Sequence, residues 1–323
     1  AYNSMVGITL GNSSNNTLLN IVAHDNSYGI RLSASNFNVL SNVSSYSSSN
    51  DGIILTDSNF NTLDDVTVYG NRHGIYVLDS NNNTLTNIEA YNNAENGILL
   101  NESSNNSLAN VTTSYNSKNG IMLDSANLNT LNNVTAYSNG WDGVRIENSN
   151  SSTLIDIKVH SNAERGIFLS NLFNSTLTEI NASENDIGVY LYKVSDVDLT
   201  DSVLSENDCN NVNVQNVIGS GNREIRFYNS AVDVQDLELS ELILCDADSS
   251  SFNNVTIVGS ATKQNNGLFV YFTDNANLAE INSSRNQYGV YFYQSTNNKI
   301  ENCTVRLNRY GVYLYKSNFN TLT

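Results

Sequence analysis

The chain has 323 residues, with 15 basic and 32 acidic side chains and a net charge of −17. Only 15% of its residues are charged, so most of its polarity comes from 59 Asn and 42 Ser, and it contains no Pro. This balance excludes a basic nucleic-acid-binding surface, because phosphate binding requires clustered Lys and Arg. No apolar run approaches the roughly 18 residues of a membrane-spanning helix. The three Cys are too scattered for a zinc motif or a disulfide framework.

A Gly recurs in steps of 22 or 23 residues and defines an internal repeat, at Gly7, Gly29, Gly52, Gly74, Gly97, Gly120, Gly143, Gly166 and Gly188, and again at Gly267, Gly289 and Gly311. Counted from each Gly, positions +1 and +3 are mostly aliphatic, +11 is Leu in nearly every repeat, and +14 is mostly Val or Ile. Short alternating segments separated by Asn, Ser and Gly are typical of strands and turns. We therefore predict an all-β fold, a single-stranded parallel β-helix with about 14 coils.

Positions +1, +3, +11, +14 and +16 are predicted to point inward and to form aliphatic columns. One coil supplies Ile53, Leu55, Leu63, Val66 and Val68 at these positions. Asn recurs at +9 and +19, and Asn tolerates the left-handed backbone of tight corners while its amide can hydrogen-bond to the copies above and below. The Asn excess is therefore predicted to be structural. Pro is excluded from such a fold because it cannot donate to a strand ladder.

The repeat is irregular around residues 205–266. Placing Asn211 and Glu241 at the Gly position restores the register across this stretch. Surplus residues then remain near 228–239 and near 259–263, and we expect them to be local excursions from the coil.

The domain organisation is predicted to be one continuous β-helix over residues 1–323. Neither terminal repeat has a polar cap, and solenoids normally need caps to cover apolar columns and strand edges. We therefore expect either a segment of a longer protein or ends covered by neighbouring subunits. Residues 1–30 lack a basic-then-apolar export signal.

The repeat resembles the NosD-like β-helix repeats found in carbohydrate-active enzymes and in archaeal and bacterial surface proteins. Two stretches carry the resemblance, Gly97–Val111 and Gly120–Val134. It implies a right-handed parallel β-helix over nearly the whole chain. The matching positions are core and corner positions, so the resemblance implies little about function. The name-giving family assists copper delivery, but two Met, three His and three dispersed Cys do not form the cluster that copper needs, and we expect no cofactor of that kind.

Acidic residues provide the candidate metal ligands. Asp57, Asp79 and Glu102 share position +5 on three successive coils, where neighbouring carboxylates could recruit a structural Ca²⁺ or simply lie on a solvated corner. A second acidic group, which includes Asp246 and Asp248, lies beside the irregular stretch. No catalytic residues are predicted, since the acid pairs do not match a known hydrolase arrangement.

Position +2 should face outward and be polar, but it is mostly apolar or aromatic. The predicted interface residues are Ile54, Tyr76, Leu99, Met122, Phe168, Tyr190, Phe269, Tyr291 and Tyr313. A continuous apolar stripe commonly marks a partner surface, and Tyr is suited to interfaces. Two alternatives remain: β-propensity with rings that bury one another, or a sugar-stacking platform. Position +4 adds Tyr192, Tyr271, Tyr293 and Tyr315 toward the C-terminal end.

Fourteen sequons of the form N-x-[ST] include the glycosylation candidates Asn15, Asn82, Asn105 and Asn174. With the low-charge Asn and Ser surface, they favour an extracellular setting. The leading expectation is a noncatalytic structural or adhesive cell-surface protein, which associates with copies of itself or with other surface proteins into a surface layer or filament. The alternatives are a polysaccharide lyase or hydrolase, and a glycan-binding module that uses the C-terminal Tyr residues.

Overall fold

A computed structural model describes residues 1–185, 187–195, 197–200, 217–219, 223–259 and 266–323. All regular elements in these ranges are β-strands, and no helix occurs there. The chain divides into two compact units; residues 1–176 belong to the first and residues 223–323 to the second. Asn211, placed at a Gly position in the sequence, lies outside the described residues, as do 260–263. The predicted continuity from residue 1 to residue 323 stays a prediction.

The strands of the regular coils in the first half are β1 (Val6–Gly11), β2 (Thr17–His24), β3 (Tyr28–Ser33), β4 (Val39–Tyr46), β5 (Ile53–Thr56), β6 (Thr62–Tyr69), β7 (Ile75–Leu78), β8 (Thr84–Tyr91), β9 (Ile98–Asn101), β10 (Ser107–Ser114), β11 (Ile121–Asp124), β12 (Thr130–Tyr137), β13 (Val144–Glu147), β14 (Thr153–His160) and β15 (Arg165–Phe173). The remaining strands are β16 (Thr176–Ser183), β17 (Ile187–Ser195), β18 (Val197–Thr200), β19 (Val217–Gly219), β20 (Arg223–Tyr228), β21 (Asp233–Cys245), β22 (Ser251–Val258), β23 (Asn266–Tyr271), β24 (Asn277–Ser284), β25 (Tyr288–Tyr293), β26 (Lys299–Glu301), β27 (Thr304–Arg306), β28 (Tyr310–Tyr315) and β29 (Thr321–Leu322).

In the first unit each coil contributes one short strand after its Gly and one longer strand. The short strands stack in the order β1-β3-β5-β7-β9-β11-β13-β15-β17 and form one sheet. The longer strands stack in the same way, as β4 on β6 and β6 on β8. All these pairings are parallel, and Leu63 lies opposite Leu85, 22 residues further along the chain. The predicted parallel β-helix is confirmed, with about 12 turns where about 14 coils were predicted.

The core consists of aliphatic columns, as predicted from the repeat. Ile53, Leu55, Leu63 and Val68 are fully buried, and Val66 is 1% exposed. Each packs against its copies in the coils above and below, because the strands pair without a shift of register. In the first unit the repeating hydrophobic positions therefore form one interior rather than separate small clusters.

In the coils that begin at Gly7 through Gly166, the tight corners use a left-handed backbone at positions +5, +8, +13 and +18. In one coil these are Asp57, Phe60, Asp65 and Gly70, with φ of 50°, 56°, 56° and 65°. Asn and Asp adopt this conformation more readily than other non-Gly residues. The corners therefore account for much of the Asn content, and a Phe at such a site is conformationally strained.

Buried Asn side chains stack into a ladder at position +19. The backbone N–H of Asn93 donates to Oδ1 of Asn116 at 3.1 Å, and Nδ2 of Asn93 donates to the same oxygen at 2.9 Å. Asn116 repeats both bonds to Asn139. These side chains are about 1% exposed, so each coil satisfies the corner N–H groups of its neighbour where water cannot reach them.

The recurring Gly is required by close approach between coils. A Cβ built on Gly97 would lie 2.7 Å from the carbonyl oxygen of Gly120, and one on Gly52 would lie 2.7 Å from that of Gly74. Real Cβ atoms do not approach a backbone oxygen so closely. The period of the sequence therefore marks the position where successive backbones have no room for a side chain.

The second unit retains the coil but omits one corner. Strand β21 is 13 residues long; Asp233–Leu239 pairs with β22, and Leu242–Cys245 pairs with β23. Leu242 lies opposite Leu268, which confirms the register predicted with Glu241 at the Gly position. The expectation that residues 232–239 form an excursion is wrong, because Val234 and Leu237 occupy the +11 and +14 columns opposite Phe252 and Val255.

Two further features distinguish this stretch. Among the described strands, only β19 and β20 pair in the antiparallel sense, with Val217 opposite Ile225. Cys245 is disulfide-bonded, whereas Cys303 has a free thiol at a half-buried site. Cys209 lies outside the described residues.

Candidate functional site

The +2 face, defined as the outward side chains at position +2, is continuous in the first unit. Ile54, Tyr76 and Leu99 lie opposite one another on β5, β7 and β9, followed by Met122 on β11. Their neighbours at +1 and +3 are fully buried, so the +2 side chains point out of the coil. Each is half-buried rather than fully exposed, because it packs against the copies in adjacent coils.

The +2 face becomes charged and aromatic further along the chain. Arg145 follows Met122, and Phe168 follows Arg145. The guanidinium carbon of Arg145 lies 4.1 Å from the ring centroid of Phe168, which stacks on Tyr190 at 5.4 Å. Phe168 is 8% exposed. The sequence-predicted interface residues of the first unit therefore share one face, but the ring of Phe168 is largely covered by its own neighbours.

A charged corner borders the +2 face at the two positions before Gly52, Gly74, Gly97 and Gly120. Asp51 is fully buried and accepts hydrogen bonds from Arg72 at 3.1–3.2 Å through Nε and Nη2. Burial raises the pKa of Asp51, and Arg72 partly opposes that shift. In the next coils, Nζ of Lys118 lies 2.7 Å from Oε2 of Glu95, and this hydrogen bond lowers the pKa of Glu95. The corner thus pairs opposite charges from one coil to the next.

His73 lies at the centre of the charged corner and is 5% exposed. Its Nδ1 accepts a hydrogen bond from the backbone N–H of Asn96 at 3.3 Å, and its Nε2 lies 3.7 Å from Oε2 of Glu95. Burial lowers the pKa of His73 to about 4, with Arg72 and Lys118 adding to the effect of burial and Glu95 opposing it. The imidazole is therefore neutral at pH 7, and it contacts the +2 face through Tyr76, 5.6 Å away between ring centroids.

A second set of paired charges lies one coil beyond Lys118. Asp142 is fully buried and accepts hydrogen bonds from Arg145 at 2.8 Å and from Arg165 at 3.3 Å. Burial raises the pKa of Asp142, and the two arginines partly oppose that shift. Arg145 also donates to Glu147 at 2.8 Å. Both clusters were missed by sequence reasoning, because the charges at these two positions change sign from coil to coil without a regular pattern.

The C-terminal aromatic face is the corresponding surface of the second unit, on β23, β25 and β28. It consists of Phe269, Tyr271, Tyr288, Tyr291, Tyr293, Tyr310, Tyr313 and Tyr315. Tyr291 lies 4.9 Å from Phe269, 4.9 Å from Tyr288 and 5.1 Å from Tyr313 between ring centroids. Burial among these rings raises the pKa of Tyr291 to about 12.

A stacked aromatic column at position +17 was also missed. The rings of Tyr2, His24, Tyr46, Tyr69 and Tyr91 lie 4.8–5.4 Å apart with interplanar angles of 5–10°. Parallel stacking at this spacing leaves only the ring edges free, so the column stabilises the stack of coils rather than offering ring faces to a ligand. The recurrence of Tyr and His at +17 was the sequence signal for it.

The predicted acidic ligands occupy corners. Asp57, Asp79 and Glu102 are exposed and have φ of 48–50° at the +5 corner. Asp246 is an exposed corner residue as well, and Asp248 accepts a hydrogen bond from the backbone N–H of Asp274 at 2.6 Å. Within the described ranges, no three His, Cys, Asp or Glu side chains are grouped to hold a metal ion. The structural Ca²⁺ stays a prediction.

The glycosylation candidates share the +8 corner. Asn15, Asn105 and Asn174 are exposed, Asn82 is half-buried, and all four have positive φ. Asn105 donates from Nδ2 to Oδ1 of Asn82, so these two amides already contact each other. Their use as glycan acceptors stays a prediction.

A shallow groove of about 600 Å³ lies at the +18 to +20 corner of the first coils. Its lining includes Asp25, Asn26, Ser48 and Gly70.

Nothing among the described residues forms a helix long and apolar enough to cross a membrane.

The ligands that copper prefers are dispersed and do not fit a copper site. His73 is buried with its Nδ1 already hydrogen-bonded, and Sδ of Met122 accepts from Nδ2 of Asn119 at 3.7 Å. Burial raises the pKa of the Cys303 thiol, which disfavours the thiolate that binds metal. The described residues therefore give no basis for copper chemistry.

Solved structures with low sequence identity are similar to this chain. The A-module of mannuronan C-5 epimerase AlgE4 from Azotobacter vinelandii is 15% identical, with a TM-score of 0.46 over 98% of this chain and 80% of its own. Pectate lyase Pel9A is 15% identical, with a TM-score of 0.46 over 67% of this chain and 69% of its own. Tailspike protein 2 of Escherichia coli O157:H7 bacteriophage CAB120 is 12% identical, with a TM-score of 0.42 over 83% and 34%. No curated protein matches the sequence.

Two family models match the sequence itself. A right handed beta helix region matches residues 84–231, in agreement with the parallel coils and with the predicted handedness. The family described as periplasmic copper-binding protein (NosD) matches residues 1–116 and 242–323, which is more than half of the chain. The chain belongs to the NosD family of right-handed parallel β-helix proteins.

Proposed function

We propose that the chain is a noncatalytic structural and adhesive protein outside the cytoplasm, which associates with copies of itself through the +2 face of the first unit. The observation that carries the proposal is the register of Ile54, Tyr76, Leu99 and Met122, four outward apolar side chains on successive coils. A sheet face of this composition is stabilised when a second surface covers it.

The surroundings of the face support the same function. The charged side chains beside it are engaged within the stack, as Arg72 is with Asp51 and Lys118 with Glu95. A location outside the cytoplasm is supported by the disulfide at Cys245 and by the periplasmic description of the NosD family.

The experiment is sedimentation velocity of the chain over a hundredfold range of concentration, together with the variant Leu99→Gln. We expect the wild type to form larger species as concentration rises, and Leu99→Gln to remain smaller. Leu128→Gln is the matched control, because Leu128 is 57% exposed at a corner outside the +2 face. A monomeric wild type, or equal loss of association in both variants, contradicts the proposal.

A carbohydrate-active enzyme is the second candidate, and the charged corner favours it. His73 is neutral at pH 7 and lies near Glu95 and Tyr76, and perturbed ionisable groups of this kind cluster at catalytic sites as well as in structural ion pairs. The test is cleavage of uronate and neutral polysaccharides with and without Ca²⁺. Activity that disappears in Glu95→Gln but persists in Asp246→Asn would establish the enzyme and overturn the noncatalytic proposal.

A further inference from the structure

The C-terminal aromatic face offers ring faces as well as ring edges. Tyr291 is inclined by 68° to Tyr313 and by 87° to Tyr293. Other pairs of this face are stacked, as Tyr271 and Tyr293 are at 16°, and in the +17 column Tyr46 and Tyr69 differ by only 5°. Rings that are steeply inclined cannot cover one another completely, so parts of their faces remain available to a ligand.

These rings remain partly exposed even where coils lie on both sides. Tyr288, Tyr291 and Tyr293 belong to β25, which is paired with β23 and with β28. All three are half-buried although both flanking strands are in place. Their inward neighbours Val290 and Phe292 are 1% and 0% exposed, so the exposure belongs to the outward face of the sheet.

Two basic side chains lie beside this face, in a part of the chain that is richer in basic residues than the rest. Residues 285–323 contain five basic residues and one acidic residue, whereas the whole chain has a net charge of −17. The guanidinium carbon of Arg309 lies 5.6 Å from the ring centroid of Tyr310, and Nζ of Lys316 lies 5.3 Å from that of Tyr315. The aromatic face thus carries positive charge at its edge.

We propose that the C-terminal aromatic face binds an anionic polysaccharide of the uronate type. The C–H face of a sugar ring packs against a Tyr ring, and its carboxylate meets Arg309 or Lys316, which provide charge-assisted hydrogen bonds. A neutral glycan would use the rings but not the cations. Elsewhere the acidic chain repels a polyanion, so the local charge selects this surface.

This inference deepens the adhesive part of the proposed function by naming a ligand class, but its test is independent of self-association. The probe is a hexamer of galacturonic acid, titrated into the full chain by calorimetry, with maltohexaose as the neutral comparison. We expect binding of the uronate hexamer alone, and weaker binding as NaCl is raised, because salt screens the ionic contacts.

Two kinds of variant separate the rings from the charges. Tyr313→Ala is expected to lower the affinity by about three- to tenfold, because it removes one ring contact. The double variant Arg309→Gln with Lys316→Gln is expected to abolish the salt dependence. The matched controls are Tyr115→Ala and Lys158→Gln, since Tyr115 is 58% exposed and the side chain of Lys158 is 51% exposed, both in the first unit.

Equal binding of both hexamers, no binding at all, or equal losses in variants and controls would overturn the inference. So would a Tyr313→Ala effect that appears in sedimentation velocity and not in uronate binding, because the partner would then be a second copy of the chain. A protein that binds the uronate hexamer but stays monomeric contradicts only the self-association proposal.

Discussion

The backbone N–H of Ser48 donates to Oδ1 of Asn71 at 3.0 Å, but the Ser48 hydroxyl has no hydrogen-bond partner in the part of the chain that the structure describes. Ser48 is 3% exposed and occupies position +19, where the coils before and after it carry Asn26 and Asn71. The ladder of buried amides at position +19 is therefore interrupted at the coil of Ser48, next to the shallow groove.

Ser48→Asn is expected to stabilise the protein. The new amide can continue the ladder to Asn71 and can accept a hydrogen bond from the corner of the preceding coil. Each buried hydrogen bond contributes about 1 kcal/mol to stability. The measurement is the midpoint of urea unfolding. Ser49→Asn, one residue away at an exposed position, is the control and should have little effect. An unchanged or lower midpoint for Ser48→Asn would contradict the ladder account.

Asn116→Ala is expected to destabilise the protein by about 2–4 kcal/mol, because it leaves buried polar groups without partners. The amide of Asn116 accepts from Asn93 and donates to Ala90 and Asn139. Asn110→Ala is the comparison, since Asn110 also belongs to an amide ladder but is exposed. Its loss should cost about 1 kcal/mol, mainly because Ala tolerates the positive φ poorly. Equal losses measured by urea unfolding would show that burial is not decisive.

The buried His73 makes stability depend on pH. Its pKa falls from 6.5 to about 4 on folding, so between these values the unfolded chain binds a proton that the folded chain does not. Stability should therefore fall as the pH drops from about 7 to about 4, by roughly 3 kcal/mol from this residue. Above pH 6.5 the imidazole is neutral in both the folded and the unfolded chain, so this loss of stability is absent there.

The measurement is urea unfolding at pH 7 and at pH 4.5 for the wild type and for His73→Gln. The variant should lose less stability on acidification than the wild type. His160→Gln is the control, since His160 lies in the stacked +17 column and not in the charged corner. Identical pH dependence in wild type and His73→Gln would show that this imidazole is not the cause.

The fold was predictable because the sequence repeats every feature that stacking needs. Aliphatic residues such as Leu63 recur at fixed spacing, and parallel pairing without a shift of register turns that spacing into a column. The Gly position was predictable for the same reason. What could not be predicted is where the repeat departs from its pattern. Phe60 occupies a left-handed corner, and Asp233–Leu239 continues directly into the next strand segment where other coils have a corner.

The candidate site was only half predictable. The +2 face follows from alternation along short strands, so its members could be named from the sequence. The charged corner could not, because the pairs Asp51 with Arg72 and Glu95 with Lys118 form only after coils are stacked. Half-burial of the +2 rings also depends on neighbours in adjacent coils, and alternation does not encode it.

Gly97→Ala tests the close approach that sets the period of the repeat. A Cβ at this position would lie 2.7 Å from the carbonyl oxygen of Gly120 and 2.8 Å from Nδ2 of Asn116, so both the strand stack and the amide ladder must shift. We expect a loss of about 2–4 kcal/mol, in the range of other overpacking substitutions that displace backbone. The matched control is Gly11→Ala, since a Cβ on Gly11 meets nothing within 4 Å. Gly11→Ala should be neutral or slightly stabilising, because Ala reduces the freedom of the unfolded chain. Urea unfolding of both variants decides the matter: equal midpoints would mean that the Gly column is not fixed by contact between coils.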